Sequence, residues 1–220
     1  MKRTPLSQRT LPRYSRGEEI MNMVTHIVGG ALGIGVLVLC PWQAKAPAAL
    51  IGVLIYGICM TALYAMSSIY HGLRPGTGKK VMQVLDHCTI YFLIAGTYTV
   101  ILLSGLRPVY PAIAWGIFIL EWVLVALACS LTAIDLKKYS VFSMVCYIGM
   151  GWAIIPFWRQ VLEVLGPWGF GLLLAGGIAY TIGSVLYGLG KKKKWMHSVF
   201  HIFVVVASIL QFLAVLLFAL

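Results

Sequence analysis

With 220 residues, 60% of them hydrophobic and only 10% charged against about a quarter in ordinary soluble domains, the composition argues against a water-soluble fold. Mean hydropathy of +0.91 and apolar runs of about twenty residues from end to end indicate an all-α polytopic membrane protein, with no separate soluble domain. Seventeen Lys and Arg against six Asp and Glu give +11, but these cations fall between the apolar runs and read as topology signals, not as a nucleic-acid surface.

Residues 1–18 are polar and basic with two prolines, and no small-residue cleavage site ends the apolar stretch that follows. They read as a cytoplasmic arm and not as a cleaved signal. Residues 19–220 form the transmembrane domain. Spans are expected at about 20–40, 47–70, 82–104, 110–133, 139–158, 167–189 and 196–219, each able to cross roughly 30 Å of hydrocarbon. Turn chemistry separates them: Pro41 and Pro47, Arg74-Pro75-Gly76, Arg107-Pro108, Lys137-Lys138, Gly166-Pro167, and Gly190 followed by four lysines.

Orientation follows from the cations. The arm carries five, the second loop three, the fourth loop two and the sixth loop four, whereas the other side has only Lys45, Arg107 and Arg159. The expectation is a seven-helix bundle with its N terminus in the cytoplasm and its C terminus outside. Glycines such as Gly29, Gly30 and Gly33, or Gly169, Gly176 and Gly183, read as close helix approaches and not as a nucleotide loop, because none follows a strand. Cys40, Cys59, Cys88, Cys129 and Cys146 include no CxxC pair, which disfavours a disulfide framework or zinc knuckle.

Ionisable groups at membrane depth are costly and face a cavity or a partner. Here they gather at one level. His71 closes the second span, Asp86 and His87 open the third, and His197 and His201 open the seventh, while Glu19, Asn22 and His26 open the first. His197 and His201 stand four apart on one helix face and can reach one ion. His71 completes a three-histidine set with an open fourth position, the catalytic style of zinc coordination; cobalt or iron also suits such ligands.

The sequence His197-Ser-Val-Phe-His201 lacks the glutamate of a zincin helix, so a base must come from elsewhere. Asp86 is the carboxylate at that depth, either accepting a hydrogen bond from water whose pKa the ion lowers or pairing Lys79 or Lys80 structurally. Ser67, four residues before His71, either serves an oxyanion and the His71 tautomer or bonds its own helix carbonyl. His26 and His87 read as satisfied neighbours, Glu19 and Asn22 as caps or braces, and Glu121 as a group that meets a helix partner or snorkels.

The segments Glu19-Ile-Met-Asn22-Met-Val-Thr25-His26, Ser67-Ser-Ile-Tyr-His71, Leu85-Asp86-His-Cys-Thr through Thr99, and His197-Ser-Val-Phe-His201 resemble the hemolysin III proteins, the bacterial branch of the progestin and adipoQ receptor family. The resemblance runs over nearly the whole chain; one departure is Val100, where many relatives carry proline. It implies a seven-helix protein of the bacterial inner membrane with a Zn2+ ion near the inner leaflet. His71, His197 and His201 match its ligands, Asp86 the acid that contacts the metal's water, and Ser67 the serine of its SxxxH motif. Ceramidases in the wider superfamily imply lipid amide or ester hydrolysis, with a membrane lipid as substrate. A sensor with structural zinc and a cytolytic protein are the alternatives; the outward halves of the spans carry almost no charge, which disfavours an aqueous pore.

Overall fold

The computed structural model describes residues 4–190 and 193–220; Lys2, Arg3, Lys191 and Lys192 of the charge count lie outside the described residues. Among the described residues there is no strand. The main helices are α1 (Arg16–Leu39), α2 (Pro47–Gly72), α3 (Thr77–Val100), α4 (Pro111–Ile134), α5 (Ser140–Trp152), α6 (Trp158–Gly190) and α7 (Met196–Ala214). Among the described residues, six helical stretches are long and apolar enough to cross a membrane.

Local chemistry sets the boundaries. Ser15 and Glu18 form a reciprocal capping box, so α1 starts at Arg16 and takes in residues expected to belong to the arm. Pro47 and Pro111 sit in the first turns of α2 and α4, where proline's missing N–H costs no helical bond. Helices α3 and α7 both loosen at their ends into π-helical turns, Ile101–Leu106 and Val215–Ala219.

The fifth helix departs from expectation: α5 stops at Trp152 after 13 residues, roughly 20 Å, and a 3-10 turn at Ile155–Phe157 leads directly into α6. Pro156 inside that turn lacks the N–H that would continue the ladder. Within α6, Gly166 adopts φ 68°, a left-handed conformation that glycine accepts readily, and Pro167 follows it. The expected break therefore appears as a kink inside one long element.

Helix α2 is central, packed against α1 and α3, while α6 and α7 pack together and α7 also meets α1. Tyr56, Met60, Tyr64, Leu102, Leu106 and Val204 form the main core; α4 and α5 add a smaller cluster around Tyr91, Val125 and Met150. Polar bonds cross the core where lipid could not satisfy them: the Tyr64 hydroxyl donates to Ser208 Oγ at 2.7 Å, and Tyr180 meets the same oxygen at 2.7 Å. These tie α2, α6 and α7. The outward faces remain apolar, with Ile27, Val28, Ile119, Val123 and Ile182 exposed, as a lipid-facing surface requires.

Candidate metal centre

The buried stripe of α1 runs Glu18, Asn22, His26, Gly29, Gly33 and Val36, a helical repeat that turns its polar members inward at one end of the bundle. The last turn of α2 brings His71 to that end, and the opening turns of α7 bring His197 and His201. One ring nitrogen from each of these three buried histidines lies within 4.8 Å of the others.

Their orientation is held by neighbours. His71 Nδ1 lies 2.7 Å from Glu19 Oε2, which assigns the proton to Nδ1 and turns a bare Nε2 toward the cluster. Asn22 Nδ2 is 3.4 Å from the same ring nitrogen, a packing contact beside that shorter bond. Lys79 Nζ donates to Glu19 Oε1 at 2.6 Å and to the Leu73 carbonyl at 3.1 Å, so the buried cation is neutralised and satisfied. His197 Nε2 and His201 Nε2 stand 3.1 Å apart.

A cation fits this donor set. His71 Nε2 is buried with no hydrogen-bond partner among the described residues. The 3.1 Å gap between the other two is close to the roughly 3.3 Å that two nitrogens keep on one tetrahedral zinc. The carboxylate on His71 is the arrangement that metal-ligating histidines use for their second nitrogen.

The remaining residues fall around this cluster. Ser67 and Asp86 line the same cavity as His197 and His201. Ser67 is buried, and its hydroxyl makes no bond to a helix carbonyl or to any other described group. Asp86 does not pair Lys79, which Glu19 holds, nor Lys80, whose Nζ donates to the Ser7 carbonyl at 2.7 Å; its carboxylate lies 3.7 Å from His87 Nδ1. His87 is satisfied, Nδ1 on the Gln83 carbonyl at 2.8 Å and Nε2 near the Tyr187 hydroxyl at 3.3 Å.

His26 differs from expectation. It is buried, stacked on His201 with ring centroids 3.7 Å apart, and neither of its nitrogens has a partner among the described residues. Glu121 differs too: it is fully buried, and neither carboxylate oxygen finds the helix partner expected for it. Two contributors lie outside the residues that the sequence singles out. Lys79 reads there only as a topology charge or as a mate for Asp86. Tyr14, whose ring stacks on His197 at 4.8 Å and 18°, is signalled by the Ser15-Arg-Gly-Glu18 capping box, which fixes the residue just before it against the helix start.

An apolar cavity of about 730 Å³ leads away from the cluster. It reaches from Asp86 and His201 to Leu173 and Gln211; ten residues of α7, roughly 15 Å, separate His201 from Gln211. Val141 and Val145 on α5 and Val185 on α6 line it and are also strongly exposed, so its flank opens sideways between these helices.

The chain matches the family model described as Haemolysin-III related over residues 14–212. It is 35% identical over 206 residues to Hemolysin-3 of Bacillus cereus, covering 92% of each chain. It is 32% identical over 204 residues to the Hemolysin-3 homolog of Bacillus subtilis strain 168, covering 91% of this chain and 94% of the relative. A more distant similarity, 26% over 169 residues, links 73% of it to 67% of the human monocyte to macrophage differentiation factor.

Proposed function

The chain belongs to the haemolysin-III related family, a multi-pass membrane protein, and from that premise we propose that it is a zinc-dependent hydrolase acting on a lipid amide or ester at the cytoplasmic leaflet. The observation that carries this reading is the convergence of three buried imidazoles at the head of an apolar cavity that opens sideways between helices.

His71, His197 and His201 would hold the ion. A bound zinc supplies Lewis-acid polarisation and a lowered pKa for water. The chain's own groups supply the rest. Glu19 keeps the His71 proton on Nδ1. The Asp86 carboxylate takes a proton from the attacking water and returns it to the departing amine nitrogen or alcohol oxygen as the C–N or C–O bond breaks, and the Ser67 hydroxyl donates to the carbonyl oxygen as charge develops there. The cavity walls take the acyl chain and exclude bulk water.

Seven crossings with a cytoplasmic N terminus complete the proposal. The stretch Ser140–Gly190 has 51 residues, roughly 75 Å as helix, more than twice the hydrocarbon thickness, so it supports two crossings folded back before the Gly166 kink. The cation count supports the orientation, and placement in the bacterial inner membrane is part of the same proposal. A reporter fused after Leu220 should then be active only outside the cytoplasm, and one placed in the 191–194 loop only inside; the reverse pattern overturns the topology.

The deciding experiment is a lipid-hydrolysis screen of native protein against Asp86→Asn, with metal content measured in both. Both should hold about one zinc per chain, and only the native protein should turn lipid over, because Asn cannot accept the water's proton. Metallated native protein that hydrolyses no amide or ester lipid leaves the site as a metal staple in a membrane sensor.

A further inference from the structure

The segment before α1 is tied down along its length. The Thr4 amide donates to Asp135 Oδ2 at 3.2 Å, Arg9 Nη2 donates to the Ile134 carbonyl at 2.7 Å, and Lys80 Nζ donates to the Ser7 carbonyl at 2.7 Å. At its other end Glu18 accepts from Ser15 and, through Oε1, from the Trp195 amide at 2.8 Å. Trp195 is the one non-glycine residue with positive φ among the described residues and sits immediately before α7. The arm, the start of α1 and the start of α7 are therefore joined around the helix that carries His197 and His201.

Between these ties hangs Tyr14. Its ring lies nearly parallel to that of His197, 4.8 Å away, and 5.7 Å from that of His71. Tyr187 and Phe200 meet His197 from α6 and α7, at 5.7 and 5.5 Å. His197 stands at the first turn of α7, where an imidazole would otherwise meet the polar end of the bundle, yet it is only 7% exposed.

We propose that Tyr14 is a positioning residue: held by the anchored arm, its ring covers the open face of the histidine cluster and fixes the plane of His197 so that Nε2 stays turned to His201. The cover stands on ring geometry alone; its consequence for a bound metal rests on the function proposed above. Flat stacking needs the ring and not the hydroxyl, so phenylalanine should serve and alanine should not.

The test uses the full chain in detergent, native and as Tyr14→Phe and Tyr14→Ala. Metal-stripped protein is treated with diethyl pyrocarbonate, and labelling of each histidine is read by mass spectrometry. In Tyr14→Ala the labelling rate of His197 should rise about threefold to tenfold, the factor that loss of one stacked aromatic pair corresponds to. Tyr14→Phe should label as native does, and His26 should not change in either. An unchanged His197 rate in Tyr14→Ala, or a rise of the same size in Tyr14→Phe, overturns the proposal.

If Tyr14→Ala misfolds, His26 labels together with His197. The combined variant Arg9→Ala, Asp135→Ala and Lys80→Ala, which removes the three ties of the arm and leaves the ring intact, then decides: His197 labelling should rise, and no rise overturns the proposal. The second readout is the visible spectrum of protein loaded with Co2+, expected to change in Tyr14→Ala and to be native in Tyr14→Phe; an unaltered spectrum in Tyr14→Ala overturns the positioning of His197. Native protein that takes up no cobalt counts against the metal reading, and the labelling still decides the role of Tyr14.

Discussion

Glu19 grips His71 by Nδ1 at 2.7 Å while its other carboxylate oxygen receives Lys79 at 2.6 Å, so one side chain sets the tautomer of an imidazole and neutralises a buried cation. Glu19→Gln keeps an oxygen for one neighbour but removes the charge that favours the Nδ1 proton. It should lower metal affinity about tenfold to hundredfold in chelator competition. Both variants leave Lys79 without a counter-charge, but Glu19→Ala also removes its oxygen acceptor, and should lose ~3–5 kcal/mol of folding stability. Equal affinity in Glu19→Gln would show that the tautomer is set by another group.

Two glycines on α1 should respond in opposite directions. A Cβ at Gly29 would lie in the ring of Tyr64, and that ring cannot retreat, because it is fully buried and its hydroxyl is held by Ser208. Gly29→Ala should cost at least ~1–3 kcal/mol through overpacking. At Gly35 nothing lies within 4 Å of the added carbon, so Gly35→Ala should gain ~0.5–1 kcal/mol from helix propensity. Thermal midpoints of both variants in one detergent check the pair; destabilisation by both would mean that α1 meets another partner along Gly35.

The sequence made the helices legible because twenty-residue apolar runs have few other uses, and it made the level of His71, His197 and His201 legible because depth in a helix can be counted from a charged loop. The approach of His71 to the His197–His201 pair is set by how α2 and α7 each pack on α1 and has no local signature. The same holds for Lys79, whose carboxylate mate is 60 residues away, and for His26, whose stacking on His201 spans most of the chain. The short α5 leaves no mark in hydropathy for a different reason: Trp152 through Trp158 stay apolar, so the apolar run continues where the backbone bends. The start of α1 was legible and misplaced, since the Ser15-x-x-Glu18 cap lies inside the basic stretch assigned to the arm.

Acid should loosen the arm. Hydrogen bonds from Thr4 first, then from the Lys138 amide, with the Arg9 charge nearby, hold the Asp135 carboxyl at about 2, below its ordinary 3.8. A depressed carboxylate contributes stability that is full above the ordinary value and is lost as pH falls through the folded one. Hydrogen exchange of the Thr4–Arg9 amides should therefore be steady down to about pH 4 and accelerate toward pH 2 relative to the intrinsic rate. In Asp135→Asn the same amides should be less protected at neutral pH and show no step in that window. A step that survives in Asp135→Asn would assign the effect to another carboxylate.

Glu121 has no counterpart to these arrangements. It is fully buried in the middle of α4, neither oxygen has a hydrogen-bond partner among the described residues, and the adjacent Trp122 spends its indole N–H on Thr99 Oγ1 at 3.0 Å. An unpaired carboxylate charge in such a medium costs several kcal/mol, and the isosteric amide removes that charge without changing the volume. Glu121→Gln should thus keep or raise the thermal midpoint, with metal uptake unchanged because Glu121 neither belongs to the histidine cluster nor lines its cavity. Glu121→Lys keeps a charge, inverts its sign and adds length to a packed position, and should fail to yield folded protein. A fall in the midpoint for Glu121→Gln would mean that the carboxyl engages a bound molecule, and the loss should then shrink when the native membrane lipid is restored to the detergent.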